Sequence, residues 1–257
     1  MGRLSELGRI FFGFAIMGIG IQTVYYNNLP YMLYPPMHLA GSGQLMLVYI
    51  SGILLILGGI SALFLIKPRS ISLILGILLL AIFCFSFVPY EFRTNSNYLH
   101  LGEWENSEKE LALSSGAFLI AACFPRKSKT AAKGFFSSLI PFGSILYALT
   151  IVSFGIDHFL YGKEASEYIP SWISHPMFWI YLAGVALIGS GIAIVLKIKT
   201  GLFAFLLGFM ILIWFVILHV PKVLHASSNE FSGELTSAFL ALAYSGIAFV
   251  IAGTGKK

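Results

Sequence analysis

Apolar positions along this chain do not alternate with polar ones and do not scatter. They gather into long runs covering residues 8–27, 43–66, 70–89, 109–125, 135–158, 177–197, 200–220 and 233–253, broken by short polar or basic stretches. Each run is close to the roughly 20 residues a helix needs to cross the hydrocarbon core of a bilayer. Strict period-two alternation is missing, so strand pairs are excluded as the spanning unit. The expected fold is therefore all-α, a polytopic bundle of eight transmembrane helices. The first run follows Arg3 and Arg9 as a signal peptide would. It lacks a small-residue cleavage site and ends in Tyr25, Tyr26 and Asn27, so it is read as a retained helix with an interfacial end.

The pattern repeats itself. Gly20, Ile21 and Pro35 recur 135 residues later as Gly155, Ile156 and Pro170. Tyr49, Gly52, Gly59, Lys67, Gly76 and Pro89 recur 132 residues later as Tyr181, Gly184, Gly191, Lys199, Gly208 and Pro221. A three-residue difference in the first loop accounts for the change of offset. The expected organisation is a first four-helix unit at 1–125, a basic linker at 126–134 and a second four-helix unit at 135–257. Both units then enter the membrane from the same side, as parallel repeats do. Small residues at helical spacing, Gly58 with Ala62 and Gly189 with Ala193, are expected to let helices approach closely.

Composition agrees with a membrane protein. Hydrophobic residues make up 58% of the chain and charged residues 11%, where soluble domains carry about 25% charged residues. A net charge of +5 raises nucleic acid as a partner, but the placement of the charges answers that. Eight crossings put Arg3, Arg9, Lys67, Arg69, Arg126, Lys127, Lys129, Lys133, Lys197, Lys199, Lys256 and Lys257 on one side. Arg93, Lys109, Lys163 and Lys222 fall on the other. Twelve against four makes both termini cytoplasmic in a multi-pass membrane protein, with the lipid bilayer as partner and no nucleic acid. Ten of the eleven acidic residues and all six histidines fall outside. The two cysteines, Cys84 and Cys123, form no CxxC pair and lie toward opposite helix ends, which gives no support to dithiol chemistry.

The repeat acts as an internal control for chemistry. Where the first unit has Gln22, Thr23 and Phe87, the second has Asp157, His158 and His219. Ionisable side chains within membrane helices are costly and face the bundle interior or a wet cavity. Helical spacing puts Ser153 and Tyr161 on the face of Asp157, and the following loop adds Glu164, Glu167, Trp172 and His175. The candidate binding set is Asp157, His158, Tyr161, Trp172 and His219. Imidazole beside carboxylate can pass protons, bind a metal or hydrogen-bond a quinone-like headgroup. No HxxxH or ExxH spacing occurs, so no metal site is expected. Two plainer readings stand beside this one: solvated polar residues at headgroup level, or a hydrogen-bonded cluster tying helix five to helix seven.

The second unit resembles the DoxX family of small bacterial four-helix membrane proteins. Gly155, His158 and Phe159 carry the likeness, with Pro170, Trp172, Tyr181, Gly184 and the Leu218-His219-Val220-Pro221 ending. The likeness covers about 136–253 well, and 8–125 only through the repeat. It implies an accessory or assembly subunit with a membrane-protein or periplasmic redox partner, since the family takes its name from a subunit associated with a thiosulfate:quinone oxidoreductase. Alternatives left open are a quinol-interacting subunit of a membrane oxidoreductase and a small-solute transporter. Neither a cofactor nor an enzymatic activity is specified by the residues.

Overall fold

The apolar runs fold as eight long helices: α1 (Arg3–Tyr25), α2 (Ser42–Phe64), α3 (Pro68–Thr94), α4 (Glu105–Ala122), α5 (Gly143–Leu160), α6 (Pro176–Val195), α7 (Thr200–His225) and α8 (Phe231–Thr254). The structure is a computed structural model that describes residues 2–36, 42–95, 97, 100–125 and 135–255, and no strand occurs among these residues. The linker 126–134, with its four basic residues, lies outside the described residues, as do His38, Lys256 and Lys257.

Seven of these helices are long and apolar enough to cross a membrane, and α4 is the exception. The sequence pattern starts this helix at 109, but it begins at Glu105 and so takes in Glu105, Glu108, Lys109 and Glu110. No proline or glycine stops the helix from growing back into the acidic stretch, and Glu and Lys are good helix formers. The protein itself shields α4. Residues 112–121 are all buried, against α3, α5 and α8.

Packing is pairwise: α1 along α2, α3 along α4, α5 along α6, α7 along α8. In addition, α8 lies along α1, and α4 lies on α5 and α8, while α2 meets α3 and α6 meets α7 only lightly. The tight pairs depend on glycine. A Cβ at Gly20 would stand 2.7 Å from the carbonyl oxygen of Gly52, and one at Gly155 would stand 2.9 Å from that of Gly184. Lipid tails are as apolar as leucine, so helices in a bilayer associate by close backbone packing rather than by hydrophobic burial. Gly189 does not take part: a Cβ there meets nothing within 4 Å, so of that expected pair only Ala193 is buried, while Gly58 and Ala62 are both buried. Gly58 faces a side chain, Leu75 of α3.

Two further details recur at the same spacing. Ser114 donates to the Gly76 carbonyl at 2.8 Å, and Ser245 donates to the Gly208 carbonyl at 2.8 Å. The sequence stops helices three and seven at Pro89 and Pro221, yet α3 and α7 run on past both prolines. A widened π turn precedes each, at Phe83–Phe87 and Phe215–His219. Such a turn makes room for the proline ring, which would otherwise clash with the preceding carbonyl.

The ends of the chain lie together, with Gly253 of α8 in backbone contact with Ser5 of α1. Two arginines brace this end from inside. Arg9, only 4% exposed, donates to the carbonyls of Ala62 and Leu63 at the end of α2. Arg69 donates to those of Ala121 and Phe124 at 3.0 and 2.7 Å. They satisfy helix-end carbonyls that have no intrahelical partner. Elsewhere α2, α6 and α7 present a sheath of exposed Leu, Ile, Val and Phe, an apolar surface far larger than a soluble monomer carries.

The packing gives a direct test. Gly155→Val should destabilise the detergent-purified protein by about 1–3 kcal/mol through overpacking. Gly189→Ala should leave thermal unfolding unchanged or slightly raise its midpoint. Equal effects at the two sites would contradict the pairing described.

Candidate functional site: a polar-headed cavity at the far end of the bundle

At the end away from the termini, α4, α5, α6, α7 and α8 enclose a cavity of about 790 Å³. It reaches from Tyr161 down α5 to Ile151, about 15 Å along the helix axis. Its upper wall is polar: Glu105, Asn106 and Lys109 from α4, Asp157 and His158 from α5, and His219 and Lys222 from α7. Its deeper wall is apolar, with Ile151, Ile180, Leu187, Met210 and Leu240. Trp179 and Trp214 line it where α6 and α7 barely touch, with their rings edge to face at 6.4 Å. Ligand cavities commonly have this size and this mixture of apolar wall and few polar groups.

Four of the five expected binding residues, Asp157, His158, Tyr161 and His219, come together here. Trp172 does not. It is 72% exposed on the loop before α6 and is not part of the lining. His175 is also exposed, at the start of α6, where a left-handed φ of 56° ends the loop.

Asp157 and His158 are not a pair. Adjacent helical residues point about 100° apart, and the His158 ring turns back along α5. Its Nδ1 lies 2.7 Å from the Phe154 carbonyl. A carbonyl can only accept, so Nδ1 carries the proton and the neutral ring keeps Nε2 as its acceptor. Both carboxylate oxygens of Asp157 are shielded from solvent and have no hydrogen-bond partner, as is Nδ1 of His219.

The corresponding positions in the first half are closed. Gln22 Nε2, with two N–H groups to give, lies 2.6 Å from the Ser232 carbonyl, 2.9 Å from the Ser232 hydroxyl and 2.7 Å from the Thr236 hydroxyl, while its Oε1 is buried without a partner. Thr23 donates to the Ile19 carbonyl at 2.8 Å, the same bond to the fourth residue back that His158 makes. Phe87 is 2% exposed and fills the space where His219 lines the cavity.

Both lysines that line the cavity are engaged. Lys109 Nζ is 2.7 Å from Glu105 and 3.0 Å from Asn106 Oδ1. Lys222 Nζ lies 3.3 Å over the ring of Tyr168 and 3.7 Å from Glu234. Tyr161 OH is 2.9 Å from His100 Nδ1. Burial first, then the nearby carboxylates Asp157, Glu103, Glu105 and Glu164, push its phenol above the ordinary value and keep it protonated. Ser153 donates to Glu108 at 2.5 Å, so the serine expected beside Asp157 serves α4 instead. Among the described residues no three His, Cys, Asp or Glu side chains stand close enough to hold a metal ion.

Sequence reasoning passed over Glu105, Lys109, Trp179, Trp214, Lys222 and Tyr244 as lining residues. For α4 a signal was present: an acidic stretch, free of proline and glycine, leading straight into an apolar run. Trp179 reads as a member of an interfacial aromatic belt, and nothing in its spacing separates that role from lining a cavity.

Fold and cavity define a class, a polytopic helical protein with seven helices suited to a bilayer and a pocket near one surface. No family model matches the chain, and no curated protein or solved structure matches it.

The equivalent positions Gln22 and Asp157 should respond oppositely to mutation. Gln22→Leu removes the two hydrogen bonds that Nε2 can donate to Ser232 and Thr236, at a cost of about 1–3 kcal/mol. Asp157→Leu removes a carboxylate that has no partner, so the unfolding midpoint should hold or rise. A large loss of stability in Asp157→Leu would make that residue structural.

Proposed function

We propose that the chain is a DoxX-like protein of a bacterial inner membrane, acting as an accessory or assembly subunit. Its outward-facing pocket holds a small amphiphilic molecule. The observation that carries this reading is the convergence of Asp157, His158, Tyr161 and His219 on one large cavity with unpartnered acceptors. Among the described residues no hydrogen bond joins these four side chains to one another, as a structural cluster would require.

In this reading the chain forms two parallel four-helix units, α1–α4 and α5–α8, joined by the basic linker. The paired glycine approaches, serine bonds and π turns at matching spacing support it. The eighth crossing is α4, whose 18 residues span about 27 Å and whose polar end is sheltered by its neighbours. Charge distribution places both termini in the cytoplasm, which sets the pocket at the outer leaflet. Labelling tests this. In a Cys84→Ser, Cys123→Ser background, Ser171→Cys should react with an impermeant maleimide in intact cells, and Arg3→Cys only after permeabilisation. The reverse pattern would invert the topology.

A second reading, a quinol-handling subunit, is favoured by the neutral His158 ring, whose Nε2 can accept a hydrogen bond from a quinol hydroxyl. A native mass spectrum of protein gently extracted from its own membranes separates the two. A quinone mass that disappears in His158→Ala selects the redox role. A stable protein partner without a quinone selects the accessory role. A chain carrying neither ligand nor partner overturns both.

A further inference from the structure

We infer that the cavity takes a membrane amphiphile with a primary ammonium head, its apolar chain entering between α6 and α7 and its head meeting Asp157. The inference rests on the reading of the cavity as a ligand site and names the ligand's chemistry.

Hydrogen-bond capacity is the first argument. Asp157 offers two acceptor oxygens with no donor, His158 keeps Nε2 as an acceptor, and His219 Nδ1 is unpartnered. Lys109, whose charge reaches Asp157, is already engaged with Glu105 and Asn106. An ammonium brings three donors and no acceptor, so it complements this set. A quinone, with acceptors only, does not.

Charge is the second argument. Four carboxylates, Glu103, Glu105, Asp157 and Glu164, line the cavity against two lysines, Lys109 and Lys222. The lining is therefore acidic with neutral imidazoles, and an anionic head would be repelled.

The aromatic walls are the third. Tyr161, Tyr168, Trp179, Trp214 and Tyr244 surround the same space. Aromatic faces attract organic cations, and one ring here already carries a protein ammonium, with Lys222 Nζ 3.3 Å above Tyr168.

The way in is the fourth. α6 and α7 pack lightly, and both contribute apolar residues to the cavity at the level where their outer faces are apolar too. A ligand with a chain can reach the polar head of the cavity sideways from the bilayer without crossing water.

The test uses the full chain in phosphatidylcholine nanodiscs, titrated with octylamine, octanol and octanoate while tryptophan emission is followed. Octylamine should saturate, and octanol and octanoate should not. Asp157→Asn, expected to fold normally, should bind octylamine roughly ten- to a hundredfold more weakly. Ala183→Leu, which narrows the apolar arm, should weaken it too. Octylamine and an aminolipid share the primary ammonium head, so discs containing phosphatidylethanolamine form a separate arm. Competition there assigns the site to an aminolipid, and undiminished octylamine binding assigns it to a free alkylamine. Equal binding of octanol, or unchanged binding in Asp157→Asn, overturns the inference. If decylubiquinol alone saturates, and Ala183→Leu blocks it, the ammonium fails while the pocket stands. If no probe responds to Ala183→Leu, both fail.

Discussion

Backbone-to-backbone approach at glycine is the constraint on which this structure depends. With lipid outside, apolar side chains gain little by turning inward, and helices are held by what can pack without a side chain between them. Gly20 against Gly52 and Gly155 against Gly184 fix two helix pairs at the same separation. The distance between α5 and α6 in turn sets the cavity, since α5 carries Asp157 and His158 and α6 carries Ile180 and Leu187.

On that shared skeleton the two halves handle polar groups differently. Gln22 donates its amide N–H groups to Ser232 and Thr236 of α8, and Phe87 is buried. At the matching places Asp157 has no partner and His219 lines open volume. One half is closed by packing and the other is left open. An unpartnered carboxylate shielded from water costs stability.

The π turns before Pro89 and Pro221 show how a local defect becomes useful. The proline removes one backbone donor, and the widened turn absorbs its ring without ending the helix. In α3 the turn closes on buried Phe87. In α7 it places His219 on the cavity side, with Lys222 one turn further on. The arginines at the opposite end do comparable work. Arg9 and Arg69 would count only as topology-setting charges in a sequence, yet they hold the ends of α2 and α4 by their carbonyls.

The sequence by itself determined the helical class, the position of seven apolar helices, and the chemical difference between Gln22, Thr23 and Phe87 and their counterparts Asp157, His158 and His219. These follow from hydropathy and from spacing along one chain, which helix geometry converts directly into place. Tertiary structure decided the rest. It showed that Gly189 faces outward, that Trp172 stands on an exposed loop, and that His158 turns to the Phe154 carbonyl while Asp157 has no partner. It also brought Glu105 and Lys109 of α4 to the cavity. A one-dimensional pattern gives the rotation of a residue about its own helix, but the rotation of one helix against another is set by packing. A cavity walled by five helices exists only once those rotations are fixed.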